Sequence, residues 1–300
     1  MKFAKRSKTC LIVSCAIMVL ALILTIFGRG INLGIDFEGG LSMEYNLKAD
    51  TEQGAQKEIE DMLSGIGINA YTVTLQGAGN SEAVIRIKDV AEDDIQNLQS
   101  QFEEKLKEKY PEAESVGDVN YVGPVAGATL VRNAVISVLL AAALMLIYIA
   151  IRFDFNSGVS AVFGLLHDVL IMLSFMVIFR SVIQMNSSFI AAALTIVGYS
   201  INNTIVIFDR IRENAKKYPT MAREEVTNIS IKESLGRTLT TTATTLITIV
   251  ALCVLGVASI REFALPIIVG ILSGVYSANM INGYVWAFLE ERRRSRKAKA

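Results

Sequence analysis

The sequence predicts a polytopic α-helical membrane protein of six transmembrane helices, with one ferredoxin-like α+β domain inserted between helices 1 and 2. Three observations lead there. Six apolar runs, about Thr9–Phe27, Ala128–Ile151, Val159–Phe179, Ser188–Phe208, Thr240–Ala258 and Phe263–Leu289, each reach the roughly 20 residues a helix needs to cross about 30 Å of hydrocarbon. The stretch between the first two runs, residues 28–126, is polar and carries 19 acids against 8 bases, a net of −11. The chain is 52% hydrophobic with zero formal net charge and a mean hydropathy of +0.44. Such an average fits a soluble protein, whereas its division into spanning-length runs does not.

The first run has a basic start (Lys2, Lys5, Arg6, Lys8) like a secretory signal. Its apolar core is long, and Phe27-Gly28-Arg29-Gly30 is not a small-residue cleavage site, so it reads as a retained anchor. Cytoplasmic loops concentrate Lys and Arg. Four bases open the chain, seven lie in 209–238 and six in Arg292–Lys299, while the opposite connections offer only Arg180 and Arg261. Residues 1–27 are therefore expected to form a cytoplasmic N-terminus and helix 1, and residues 28–126 an extracytoplasmic segment and domain. Residues 127–289 then hold helices 2–6 with a cytoplasmic loop at about 209–238, and 290–300 form a basic cytoplasmic tail. Cys10, Cys15 and Cys253 all fall in apolar runs, and there is one histidine. Neither a disulfide nor a zinc site is expected.

The polar domain reads in order. Leu41–Leu47 is a strand, and Thr51–Leu63 a helix capped by Asp50 or Thr51. Asn69–Gln76 alternates Tyr71, Val73 and Leu75, and Ala83, Ile85 and Ile87 alternate with Val84, Arg86 and Lys88, marking two strands joined by a turn at Gly77-Ala78-Gly79-Asn80. Asp89–Tyr110 carries Ile95, Leu98, Phe102 and Leu106 on one helical stripe, and Glu114–Val122 is a last strand. The order β-α-β-β-α-β is the ferredoxin-like arrangement. Its acidity argues against a nucleic-acid partner. A docking module and a charged surface kept soluble both fit. Ahead of the first strand, Asp36 is a candidate turn or helix cap, and Gly39-Gly40 permits a tight turn or close backbone approach.

Within the spans, polar groups are costly and informative. His167-Asp168 lies about ten residues into the third run, roughly 15 Å deep, where an ionised Asp costs about 2.5–3.5 kcal/mol on insertion scales. A hydrogen-bonded structural pair and a part in ion movement both remain open. In the fourth run, Tyr199 and Asn203 share one face, and Thr195, Asn202 and Asp209 another. Asn202, Asn203 and Thr204 fit either interhelical hydrogen bonding or a polar pathway. Asp209 and Arg210 are placed at the cytoplasmic boundary. The fifth run opens with Arg237 and six threonines between Thr238 and Thr245, suited to close helix contacts or a hydrated groove. Arg237 fits both snorkelling to the interface and approach to the fourth span. Pro266 is placed in the first turn of the sixth run, where a missing amide is tolerated. Gly270, Gly274 and Ala278 make a small-residue packing stripe.

These motifs resemble the SecD/SecF family of protein-export membrane proteins, within the resistance-nodulation-division superfamily. The resemblance rests on Gly34-Ile35-Asp36-Phe37-Glu38-Gly39-Gly40, Val122-Gly123-Pro124-Val125-Ala126-Gly127, Leu165-Leu166-His167-Asp168, the long run from Gly198-Tyr199-Ser200-Ile201-Asn202-Asn203-Thr204 to Asp209-Arg210-Ile211-Arg212-Glu213-Asn214, Ser234-Leu235-Gly236-Arg237-Thr238-Leu239, and Phe263-Ala264-Leu265-Pro266. It covers nearly the whole chain. It implies a non-enzymatic accessory subunit of protein export in the bacterial cytoplasmic membrane. The implied partners are a SecD-like subunit, the SecYEG channel and, indirectly, the SecA motor, with unfolded exported proteins and membrane lipids in contact. It implies no bound cofactor and the use of a proton or sodium gradient.

One position departs. Proton-coupled members read Asn-Asp-Thr in the fourth span, and the place of that relay Asp is taken here by Asn203. An amide does not titrate near neutral pH. Asn202 and Thr204 match the pattern, Arg237 matches the fifth-span arginine, and Asp168 matches the third-span acid. Three routes follow: the partner supplies the acid; coupling runs through Asp168 or uses sodium with carbonyl and amide oxygens; or the chain assists export with weak coupling. A half-size small-solute transporter and a non-transporting scaffold for channel assembly are the competing functions.

Overall fold

A computed structural model describes residues 3–48, 54–76, 78–88, 90–116, 119–180, 183–256 and 258–297. In chain order the elements are α1 (Phe3–Ile26), α2 (Ile35–Glu38), β1 (Gly40–Asn46), α3 (Ala55–Gly65), β2 (Tyr71–Gln76), β3 (Glu82–Ile87), α4 (Ile95–Lys109), β4 (Glu114–Ser115), β5 (Asn120–Val122), α5 (Pro124–Arg152), α6 (Phe155–Ile178), α7 (Ser187–Lys217), α8 (Arg223–Leu255), α9 (Ala258–Ser277) and α10 (Gly283–Lys297). A π turn, Ala278–Asn282, joins α9 to α10 within one span. The chain divides into two compact units, Leu33–Val135 and the remainder.

In the smaller unit the strands are ordered β2-β3-β1-β4, antiparallel throughout, with β5 also paired to β1. This is the ferredoxin-like topology that the pattern predicted. Leu41 faces Ile87, Met43 faces Ile85 and Tyr45 faces Ala83 across β1 and β3. Strand alternation sends these residues to one face, where they form a buried core with Ile59 and Leu63 of α3 and Phe102 and Leu106 of α4.

Several boundaries differ from expectation. Helix α3 starts at Ala55 behind Gly54, which makes no side-chain cap; the expected caps, Asp50 and Thr51, lie outside the described residues. The helix expected from Asp89 begins with a 3₁₀ turn at Glu92–Asp94, and Asp89 is likewise not described. The last strand is two short pieces because each pairs a different stretch of β1. The hairpin turn is a 3₁₀ turn at Ala78–Asn80, with positive φ at Gly79 (69°) and Asn80 (56°); Gly77 is not described.

The glycine pair has a steric reason. Gly39 and Gly40 take φ of 81° and 129°. A Cβ on Gly40 would sit 2.4 Å from the Ile87 carbonyl oxygen. Asp36 lies in the first turn of α2, whose N-cap position is Gly34. The Phe37 carbonyl in turn would lie 3.0 Å from a Cβ on Gly127 of α5.

The larger unit holds the helices. All six predicted spans are present as apolar helices of membrane-crossing length. Helix α7 packs against α6, α8 and α9. The small-residue stripe of α9 is what lets α7 approach: a Cβ on Gly270 would strike Ile196, and one on Gly274 would lie 3.3 Å from Ser200 Cα. Pro266 sits well inside α9 and not in its first turn, because the helix starts at Ala258, earlier than the apolar run indicated. Helix α1 turns Ser7, Ser14 and Ala21 inward and exposes most of its large apolar side chains. Spacing of seven puts those three small residues on one stripe. No residue in the most apolar 18-residue window of α5 is buried within the chain, so that helix presents its apolar surface outward.

A buried polar seam around Asp168

On α6, Ser160, Gly164 and Asp168 recur every four residues and share one face. The helix is started by Asp154, whose carboxylate accepts from Ser157 Oγ at 2.6 Å. Asp168 has no exposed surface. Its Oδ1 accepts from Ser273 Oγ at 2.7 Å and, in the Nδ1–H tautomer of His167, from Nδ1 at 2.9 Å. Its Oδ2 accepts from Ser200 Oγ at 2.5 Å and Ser277 Oγ at 2.8 Å. Helices α6, α7 and α9 thus supply four donors, which matches the acceptor capacity of one ionised carboxylate. An isolated charge here is costly; a charge inside such a shell is accommodated.

The far side of the imidazole meets α1. His167 Nε2 lies 2.8 Å from Ser14 Oγ, and the ring stacks on Tyr276 at 6.0 Å between centroids. The Tyr276 hydroxyl donates to the Cys10 carbonyl at 2.5 Å. The inward serine of α1 therefore completes the surroundings of a histidine on α6, which explains why that stripe is small and polar.

One helical turn along α6 and α7 lies a second polar layer. Asn282 packs so closely on Gly164 that a Cβ there would fall 2.2 Å from its amide nitrogen and oxygen. Asn282 Nδ2 donates to Thr204 Oγ1 at 2.9 Å, and Thr204 Oγ1 donates to the Ser200 carbonyl at 3.1 Å. Ser160 Oγ donates to the Asn282 carbonyl at 2.5 Å. Asn203 is buried, yet its Nδ2 meets no protein acceptor among the described residues. The Oδ1 atoms of Asn279 and Asn282 likewise accept from no described protein donor. The π turn that carries both asparagines is a helix irregularity often found at functional sites.

The predicted site residues are thus sorted. His167, Asp168 and Thr204 belong to the seam, and Asn203 is buried beside Thr204 on α7. Asn202 is exposed on this chain. Arg237 is also exposed; it lines an open cavity of about 930 Å³ with Arg152, Asp209, Arg210 and Glu233, and not the seam. At that cavity Asp209 pairs with Arg152 at 3.3 Å, and Arg210 with Glu233 at 2.7 Å and Glu213 at 2.5 Å. Tyr199 donates to Thr242 Oγ1 at 3.2 Å, and Gly198 faces open space. Among the threonines at the start of the fifth run, Thr238 and Thr242 are buried, while Thr240, Thr241 and Thr244 are exposed.

Sequence reasoning missed Ser14, Ser273, Ser277, Tyr276, Asn279 and Asn282. The signal for part of this was present. Ser273 and Ser277 flank the glycine stripe at a spacing of four, and two asparagines inside an apolar run are costly to bury.

Six helices of membrane-crossing length around a buried polar seam, with one inserted sheet domain, define a multi-pass membrane protein. Residues 101–292 match the family described as protein export membrane protein SecD/SecF, C-terminal, and residues 25–50 match the SecD/SecF GG motif, which contains Gly39-Gly40. The chain belongs to the SecD/SecF family. It is 36% identical over 300 residues to the protein translocase subunit SecF of Rhodothermus marinus, covering 98% of this chain and 95% of that one. It is 34% identical to the protein translocase subunit SecDF of Bacillus subtilis, covering 95% of this chain and 37% of that longer one. The crystal structure of SecDF from Thermus thermophilus, titled a translocon-associated membrane protein, superposes with a TM-score of 0.84 at 31% identity, over 97% of this chain and 39% of that chain. The chain therefore spans about two fifths of the length of that longer protein.

Proposed function

We propose that this chain is an accessory subunit of the Sec machinery in the bacterial cytoplasmic membrane. It acts with a SecD-like partner, beside SecYEG and SecA, to promote outward movement of unfolded preproteins. Both termini are cytoplasmic and the sheet domain faces outward, as the distribution of bases in the short loops supports. The ion gradient drives this half through the Asp168 seam. The observation that carries this reading is the convergence of four donors from three helices on one fully buried carboxylate. The fourth-span position that is a relay Asp in proton-coupled members is the amide of Asn203, so a charge-handling role falls to Asp168. The incentive is about 2.3 kcal/mol per elementary charge per 100 mV. Exposed Asn202 and Arg237, and the outward apolar surface of α5, are where the partner packs.

The test is preprotein translocation into membrane vesicles containing the partner, with proton and sodium gradients imposed separately. Asp168→Asn keeps size and polarity, so the chain is expected to co-purify with its partner while the gradient-dependent part of translocation is lost. An unchanged gradient response would sink the reading and leave a scaffold role.

A further inference from the structure

The end of the helical unit that carries the α7–α8 connection holds a second pocket, of about 210 Å³. It lies between the start of α6, the end of α7, the start of α8 and the end of α10. Four cations line it, Arg212, Lys216, Arg223 and Arg293, against two carboxylates, Asp154 and Glu290. Both carboxylates are already engaged. Asp154 caps α6 through Ser157, and Glu290 accepts from Asn156 Nδ2 at 2.7 Å with Arg293 Nε at 3.7 Å. An excess of two positive charges is left. In the larger cavity, by contrast, Arg152 and Arg210 are paired with Asp209, Glu213 and Glu233.

Arg223 is the informative member, because it is only 5% exposed. An arginine does not shed its proton, so its burial has to be offset by an anion or by good acceptors. No carboxylate among the described residues pairs with it. Its Nη1 and Nη2 reach the Ala215 and Pro219 carbonyls at 3.5 Å each, the outer limit of a hydrogen bond. The Pro219 carbonyl is also shared with Arg294, whose Nη1 and Nη2 lie 3.5 and 3.4 Å away. Arg223 Nε meets no described acceptor. Trp286, also buried, lines the same pocket, and its indole Nε1 likewise donates to no described protein group. Buried tryptophan N–H groups usually find a partner. The exposed side chains of Arg212 and Lys216 are unpaired among the described residues. Two buried donors and two unpaired cations thus converge on one pocket, and a negatively charged acceptor would satisfy all four.

We propose that this pocket binds phosphate, in the form of the headgroup of an anionic phospholipid. Guanidinium forks match phosphate oxygens in pairs. The apolar part of the lining selects the source. Phe208, Ile211 and Trp286 accompany the cations, so a polar head and the root of an acyl chain are accommodated together. Tryptophan is enriched at the membrane interface, and basic pockets between membrane helices on the cytoplasmic side bind anionic headgroups. The choice of leaflet rests on the topology proposed above; the pocket and its charge do not.

Trp286 is the sole tryptophan of the chain, so its fluorescence reports on the pocket. The full chain is reconstituted in phosphatidylcholine vesicles, and brominated phosphatidylglycerol or brominated phosphatidylcholine is titrated in as quencher. The expected result is a preference of about tenfold or more for phosphatidylglycerol, since each cation near a headgroup contributes about fivefold. Arg223→Gln should abolish the preference. Because that change could disturb the start of α8, Lys216→Gln serves as a second variant and should reduce the preference about fivefold. Lys217→Gln, next in sequence but lining only the larger cavity, should leave it unchanged. Equal quenching by the two lipids, a preference that survives both Arg223→Gln and Lys216→Gln, or an equal loss in Lys217→Gln would overturn the proposal. Inorganic phosphate that abolishes the preference at matched ionic strength would assign the pocket to a soluble anion and overturn the headgroup. No gradient or translocation enters this readout, so its failure leaves the Asp168 reading untouched, and the converse holds.

Discussion

Replacing Gly164 with alanine tests how tightly the two polar layers are fitted. The added Cβ would sit 2.2 Å from Asn282 Nδ2 and Oδ1 and 2.5 Å from its Cγ, far inside van der Waals contact. The asparagine is not free to withdraw. Its amide is tied to Thr204, its carbonyl to Ser160, and the next residue, Gly283, is backed by Thr227 and Ile231. Overpacking of a close-fitted core costs about 1–3 kcal/mol. Swinging the amide away also leaves the Thr204 contact broken, at about 1–3 kcal/mol for a buried polar group left unpaired. The two effects overlap and do not add in full, so we expect a destabilisation of about 2–4 kcal/mol, in the lower part of their sum of about 2–6 kcal/mol. The assay is a denaturant titration of the purified chain in detergent micelles, combined with a double-mutant cycle. Asn282→Ala should relieve the clash, giving a coupling above about 1 kcal/mol between the two positions. If Gly164→Ala lies within about 0.5 kcal/mol of the native chain, as surface changes do, the close approach of α6 to the π turn is wrong.

Two further outcomes are expected. In the sheet domain, Glu58 accepts from Lys109 at 2.5 Å and from the Tyr110 hydroxyl at 2.8 Å; these hydrogen bonds, Lys109 first, hold its carboxyl below the usual value. A lowered carboxyl stabilises the fold above the ordinary carboxylate pKa, and that contribution is lost as pH falls through the lowered value. Burial, followed by the bond to Glu58, pushes the Tyr110 phenol up to about 12, so its contribution is full below pH 10 and is lost as pH rises toward 12. Glu58→Gln should flatten the acid limb of a stability–pH curve, by less than about 1 kcal/mol for so exposed a pair; an unaltered limb refutes the assignment. Asn203→Asp should strengthen the dependence of translocation on a proton gradient, read in the vesicle assay; an unchanged response counts against Asn203 lying on the ion path.

Much of this protein is written in local sequence. Run length fixed six spans, since hydrocarbon leaves an unpaired backbone no alternative to a helix. Period-two alternation in residues 71–76 and 82–87, and the stripe from Ile95 to Leu106, marked the sheet domain, because side-chain direction in a strand or helix follows from neighbouring residues alone. The third-span carboxylate stood out for the same kind of reason: the hydration it loses on leaving water is the same whichever partners later compensate it. What surrounds it was decided by tertiary packing. Ser14 lies 153 residues before His167, and Ser273 and Ser277 lie 105 and 109 residues after Asp168. Helical periodicity tells which residues share a face, but not which face of another helix will meet it or at what height. That register came from small residues letting α1 and α9 approach, and it separated buried Asn203 from exposed Asn202 and left Arg237 at a different cavity. Local chemistry announces that a polar group must be enclosed, and only the packed bundle names its enclosure.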